Sequence, residues 1–295
     1  MKAPPRPGPK PREGFDLHVH TTHSDGLCSP GEVVRSAAEV GLAGLAITDH
    51  DTLSAIEIAR PEADRLGITL IPGIELTAEM DGRELHILGY AFDPADPALR
   101  SATDDLRVRR VERLRGMIDR LAALGLHVDH EALVRQFPRA TLGRRHLAEW
   151  LTRSGQVPSH REAFVRFLGD RGPATVPKPR LPVETAIALI RAASGVAGLA
   201  HPPYDLKRAT LQELTGAGLE AIETAGPGTT ARLGRRWRDW AVELDLIPTA
   251  GSDFHAPDRP GRWVGSVTTP GVIVERLLHR REAPAAASHS IQPSA

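Results

Sequence analysis

The sequence predicts an α/β protein, a barrel of parallel strands interrupted by a helical insertion. Three observations predict it. Short apolar runs alternate with amphipathic stretches over residues 15–89, the alternation resumes over 185–280, and no strand-like run interrupts the helical pattern between about 97 and 180. Strands that alternate with helices form parallel sheets through right-handed crossovers.

In chain order, residues 15–20 read as the first strand. Ser29 is an N-cap, with Pro30 in the first turn and Glu32 completing a capping box; the helix runs to a C-cap at Gly41. A second strand over 42–48 ends at Asp49-His50-Asp51. The helix from about Ser54 is expected to break near Pro61. A third strand spans 68–77, and Asp81-Gly82 signals a hairpin into a strand over 84–90. In the insertion, Val111, Leu114, Ile118 and Leu121 form one apolar stripe, leaving Arg107, Arg110, Arg113 and Arg120 to the other faces. Helices over 142–151 and 161–168 follow, and the proline-rich stretch 172–182 reads as the linker back. Beyond it come helices over 185–194, 211–216, 230–244 and 272–280, and strands over 196–200, 219–223 and 247–250. The chain thus divides into a barrel from 14–99 and 181–281, an insertion over 100–180, and disordered tails over 1–13 and 282–295.

Composition narrows the function. At 295 residues, 41% hydrophobic and 25% charged, the chain can build a substantial core. Lys+Arg and Asp+Glu both total 37, which disfavours a long duplex nucleic acid as partner but leaves room for a local anion site. Cys28 is the single cysteine, so an internal disulfide and a multi-thiolate zinc site are excluded. Neither a signal-peptide core nor an apolar run of membrane-spanning length is visible, and a cytoplasmic protein is expected.

The histidines carry the functional signal. His18, His20, His50, Glu75, His201, Asp253 and His255 lie at or just beyond the ends of expected strands; Asp25 lies in the loop after the first strand and His86 in the hairpin. Parallel strands of a barrel bring those ends to one face. Side chains alternate along a strand, so His18 and His20 point the same way and can bind one ion together. Imidazole and carboxylate donors without thiolate suit manganese, zinc or iron. A carboxylate such as Glu75 can bridge two ions, and such a pair suits phosphoryl displacement.

These residues, in this order, resemble the polymerase and histidinol phosphatase (PHP) domain superfamily. The pieces that carry the resemblance are Asp16-Leu-His-Val-His20-Thr-Thr-His-Ser-Asp25-Gly, Thr48-Asp-His50-Asp, Gly73-Ile-Glu75, His86-Ile-Leu-Gly89, Ala200-His201-Pro202 and Gly251-Ser-Asp253-Phe-His255. The resemblance implies a distorted (β/α)7, TIM-like barrel and a phosphoesterase. It further implies one ion on His18, His20, Glu75 and Asp253, a second on Glu75, His86 and His201, and a third on Asp25, His50 and His255. Asp253, His255 and Glu75 would serve catalysis, and His23 would lie outside the ligand set.

Within the superfamily, the helical insertion resembles that of nucleoside 3′,5′-bisphosphate phosphatases, whose relatives also trim short 5′-phosphorylated RNA. Gly143-Arg144-Arg145-His146 carries this likeness, with Arg145 where the family pattern has proline. Arg144, Arg145 and His146 are therefore the candidates to bind a second phosphate of a nucleotide or short oligonucleotide. The rivals are a histidinol-phosphate phosphatase and a non-catalytic metal- or partner-binding module. An amidohydrolase bridged by a carboxylated lysine is disfavoured, because none of Lys2, Lys10, Lys178 and Lys207 ends a core strand.

Overall fold

The computed structural model describes residues 13–138 and 142–282. The expected tails therefore fall outside the described residues, apart from Glu13 and Glu282. The first half comprises β1 (Phe15–Val19), α1 (Pro30–Glu39), β2 (Gly44–Ile47), α2 (Ser54–Leu66), β3 (Thr69–Met80) and β4 (Arg83–Tyr90). The helices α3 (Pro97–Ala123), α4 (His130–Gln136), α5 (Arg144–Arg153) and α6 (His160–Ala163) follow, the last running into a π-helical turn, Phe164–Leu168. Then come β5 (Leu181–Pro182), α7 (Val183–Ala192), β6 (Val196–Leu199), α8 (Arg208–Gly216), β7 (Ala221–Ala225), α9 (Ala231–Glu243), β8 (Ile247–Ala250) and α10 (Gly271–Glu282).

Seven strands pair in the order β1-β2-β3-β4-β6-β7-β8. All pairs are parallel except those of β4, which runs against both β3 and β6. Its reversal follows from the Asp81-Gly82 turn, where both residues have positive φ, 52° and 74°, as a two-residue hairpin requires. The last strand returns to the first beyond β8: Val19 bridges to Phe254, and the His20 amide donates to the Phe254 carbonyl at 2.9 Å. The result is the expected seven-stranded barrel, distorted by one reversed strand. A buried cluster takes a residue from every one of these strands: Leu17, Ala46, Ile71, Leu88, Val196, Ala221 and Ile247.

Between β4 and β5 the helices build their own core, with Leu133, Leu147, Leu151 and Leu168. The long α3 spans both layers. Leu99 and Leu106 pack with the barrel helices, whereas Leu114, Met117 and Leu121 pack into the insertion.

Four local expectations need correction. The second helix runs unbroken through Pro61, which lies on its exposed face, where the carbonyl it displaces can turn to water. The linker ends in a strand, because Leu181 and Pro182 pair with Ala78 and Glu79 of β3. Helix α4 was not expected, its seven residues being too few to display a period. On α3 the buried stripe runs through Arg110, while Val111 is 38% exposed. Arg110 reaches the interior because a buried carboxylate, Asp51, receives it.

Candidate metal centre

Alternation along β1 sets His18 and His20 side by side, both fully buried. The strand is anchored by Asp16, whose carboxylate accepts the amides of Ser252 at 2.9 Å and Gly265 at 2.8 Å. Burial pushes that carboxyl up to about 6, against the pull of those bonds. The end of β8 presses so closely on β1 that a Cβ on Gly251 would lie 2.4 Å from the His18 Cβ. Asp49 holds the loop that carries Asp25, accepting the Thr21 amide at 2.7 Å, its hydroxyl at 2.6 Å and the Ser24 hydroxyl at 2.5 Å. Asp51, His201 and Asp253 adopt φ of 53°, 53° and 47° at their strand ends. Non-glycine residues pay for that conformation, and its clustering here marks a built site.

The fold brings all nine expected side chains together around Glu75. Its Oε2 lies 3.3 Å from His18 Nε2, 3.2 Å from His20 Nε2 and 3.1 Å from His50 Nδ1. Its Oε1 lies 2.8 Å from His86 Nδ1 and 2.9 Å from His201 Nε2. Asp253 Oδ1 stands 3.6 Å, 3.4 Å and 3.4 Å from His18, His20 and His255, and Asp25 Oδ1 stands 3.3 Å from His255 Nε2. Four overlapping groups, each with donor atoms within 4.8 Å of one another, cover the set: His20, Asp25, His50 and His255; His18, His20 and Asp253; His18, Glu75 and His201; His50, Glu75 and His86. His23 stays outside the cluster and bonds Ser54 Oγ at 2.6 Å.

Charge in this cluster is tightly coupled. Burial opposes ionisation of His18, but Glu223 and Glu75 override it and hold the imidazole well above its ordinary range. His20 is driven up to about 10 in the same way by Asp253 and Glu75, against burial. Burial also opposes the Glu75 charge, yet His50, His86 and His18 keep that carboxyl well below its usual range. His50 moves the other way, lowered by burial despite Glu75.

The donor set fits divalent cations. The Nε2 atoms of His18 and His20 converge to 3.1 Å. Ligands about 2.0–2.2 Å from a shared ion stand about 3.0–3.5 Å apart, so that spacing is what joint coordination requires. The tautomers agree. His18 donates Nδ1–H to Glu223 at 2.9 Å, His86 donates Nε2–H to Glu84 at 3.0 Å, and His255 donates Nδ1–H to the Asp253 carbonyl at 2.9 Å. With a cation displacing the protons shared in the cluster, each would turn the lone pair of its other nitrogen toward the ion. Asp25 Oδ1 and His50 Nδ1 are buried without a hydrogen bond.

Several partners were not visible in the sequence. Glu223 and Glu84 are assigned to histidines only by the fold. Glu84 also accepts from Lys178 at 3.1 Å and Arg180 at 3.0 Å. Arg262 donates to Asp253 Oδ2 at 2.7 Å, which leaves Oδ1 to face the histidines. Asp51 binds Arg110 and also the Thr77 amide at 2.7 Å, two residues beyond Glu75.

Beside the cluster lies a cavity of about 380 Å³. Ser24, Asp25 and His50 line its barrel side, and Arg144, Arg145, His146, His160 and Phe164 its insertion side; Arg110, Arg113, Lys178 and Arg259 complete the wall. The three residues singled out for phosphate binding are thus all in the wall, with different attachments. Arg144 donates to the Leu168 carbonyl at 3.2 Å and to Asp170 at 2.6 Å. Arg145 stands 3.6 Å from Asp25. His146 accepts the Gly143 amide on Nδ1 at 3.1 Å, capping α5. Burial, then Arg144 and Arg110, lowers Arg113 to about 10, and burial, then Arg145 and Arg262, lowers Arg259. Of the cationic lining residues, Arg110, Arg144 and Lys178 are paired with Asp51, Asp170 and Glu84, while Arg113, Arg145 and Arg259 leave a positive excess over the lining carboxylate Asp25. Such a field attracts anions.

A profile of the PHP domain matches residues 16–150. A 5′-3′ exoribonuclease of Haemophilus influenzae is 34% identical over 248 residues, covering 82% of this chain and 90% of its own. A 3′,5′-nucleoside bisphosphate phosphatase of Chromobacterium violaceum is 34% identical over 257 residues, covering 85% of this chain and 90% of its own. A solved structure from Bifidobacterium adolescentis, described as a candidate metal-dependent phosphoesterase, is 29% identical. It superposes with a TM-score of 0.84 over 92% of this chain and 97% of that one. Barrel order, motif residues and these similarities agree, and the chain belongs to the PHP domain family.

Proposed function

We propose that this protein is a metal-dependent phosphatase that removes the 3′-phosphate of nucleoside 3′,5′-bisphosphates, with short 5′-phosphorylated RNA as a further substrate. The observation that carries the reading is the cationic cavity abutting the nine-residue cluster. Similarity to a bisphosphate phosphatase and an exoribonuclease supports it. His18, His20, Asp25, His50, Glu75, His86, His201, Asp253 and His255 would hold two or three divalent cations. Manganese is the ion we assign, supported by an all nitrogen and oxygen donor set without thiolate. Bound there, the ions supply charge neutralisation at the phosphate and a water of lowered pKa.

The chain's own groups orient and bind. Arg113 and Arg259, which make no ion pair among the described residues, would hold the phosphate that is not cleaved, joined by Arg145 and Lys178 from their pairs with Asp25 and Glu84. The His255 tautomer favours a ligand over a proton carrier, because its Nδ1 proton is committed to a backbone carbonyl. Among the described residues no helix is long and apolar enough to cross a membrane. We place the enzyme in the cytoplasm, in keeping with its single cysteine.

The test is hydrolysis by manganese-loaded protein, read as phosphate released from adenosine 3′,5′-bisphosphate and histidinol phosphate and as nucleoside 5′-monophosphate released from 5′-phosphorylated RNA trimers. The bisphosphate should give the highest kcat/KM and yield the 5′-monophosphate. Preference for histidinol phosphate would replace this reading with the rival phosphatase, and no turnover on any ester would indicate a binding module.

A further inference from the structure

The cavity wall contains one feature that phosphate binding does not use. Phe164 is half-buried: it packs against the insertion core and also lines the cavity. The ring of His160 stands beside it, with centroids 5.6 Å apart and planes at 34°. His160 is fixed in turn, its Nε2 bonding the Arg145 carbonyl at 3.1 Å. Phe164 opens a π-helical turn, an irregularity that recurs where helices serve function. An apolar ring does nothing for a phosphate, but its face suits a nucleobase, because every base presents a π-surface.

We propose that Phe164, backed by His160, is the platform on which the substrate's nucleobase stacks, so that the enzyme requires a base without distinguishing which one. The lack of base selectivity follows from the rest of the described lining. It contains no amide side chain, and its carboxylate, Asp25, belongs to the metal cluster. No side-chain amide or uncommitted carboxylate of that lining is therefore placed to read exocyclic amino groups, and stacking is tolerant of sequence. The inference rests on the proposed phosphatase activity and extends it to the nucleoside part of the substrate.

The experiment compares kcat/KM for adenosine 3′,5′-bisphosphate and for base-free 1-deoxyribose 3,5-bisphosphate, in wild type, Phe164→Leu and Phe164→Trp. Wild type should favour the base-bearing substrate roughly 5- to 100-fold, the range that one base–aromatic stack supplies. The four common bases should fall within about threefold of one another. Phe164→Leu keeps apolar bulk for packing and should bring the ratio close to one, while Phe164→Trp should keep it high. A wild-type ratio near one, a ratio unchanged in Phe164→Leu, or a strong preference for one base would overturn the stacking proposal with the phosphatase activity left intact. Hydrolysis of neither bisphosphate would overturn the activity itself, and the stacking proposal with it.

Discussion

Glu223 accepts a hydrogen bond at 2.9 Å from Nδ1 of His18, and so fixes the ring whose Nε2 faces Glu75, His20 and Asp253. Such outer carboxylates orient a metal-binding imidazole and raise its basicity. Glu223→Ala is expected to weaken manganese binding about 10- to 100-fold. Glu223→Gln, which can still accept the bond, should lose less. Calorimetric titration of the metal-free variants checks this, and unchanged affinity in Glu223→Ala would detach Glu223 from the centre.

Arg110 crosses from the insertion helix to Asp51, and both side chains are buried. Removing one partner strands the other charge in a dry site, at a cost of about 3–5 kcal/mol. Arg110→Met should therefore lower the melting temperature by about 5–15 °C. Adding Asp51→Asn should recover part of the loss. A drop under about 2 °C in the single variant would show that the pair is not a structural tie.

The cationic wall separates two kinds of arginine. Arg144 is already committed to Asp170 and a carbonyl, whereas Arg113 and Arg145 are crowded by other cations. Arg145→Ala and Arg113→Ala are expected to raise KM for the bisphosphate about 10- to 100-fold, the scale of one charged hydrogen bond. The same changes should matter much less for a nucleoside 3′-monophosphate. Steady-state kinetics on the two substrates decide, and equal effects on both would remove the two-phosphate assignment.

His146 predicts an acid sensitivity. Burial, opposed by Asp25 and reinforced by Arg145, lowers its pKa from 6.5 to about 4, in keeping with Nδ1 accepting the Gly143 amide. The unfolded chain takes up the proton near 6.5 and the folded chain only near 4, so this contribution to stability is complete above pH 6.5 and is lost as pH falls toward 4. Its size is on the order of 3 kcal/mol. Denaturant unfolding between pH 7 and 4 should show a shallower loss in His146→Gln, which keeps an acceptor for the cap. Parallel pH profiles in the two proteins would contradict that role.

Much of the barrel was legible because strands, caps and the hairpin are local. Ser29 and Glu32 form the expected box, and the histidines flag strand ends. What the sequence withheld depends on distant partners. Glu223 lies 205 residues from His18, and Arg110 lies 59 from Asp51. On α3, an arginine at a core position reads as a surface charge until a buried acid is found to meet it. Likewise nothing local marks Arg259 or Lys178 as neighbours across one cavity.

The most direct test of the account is metal content. Protein stripped by chelator, saturated with manganese and desalted should carry two or three ions per chain by elemental analysis, and Glu75→Ala should retain at most one. A wild-type chain that retains none, or a Glu75→Ala variant that keeps the full complement, would contradict a centre built around Glu75.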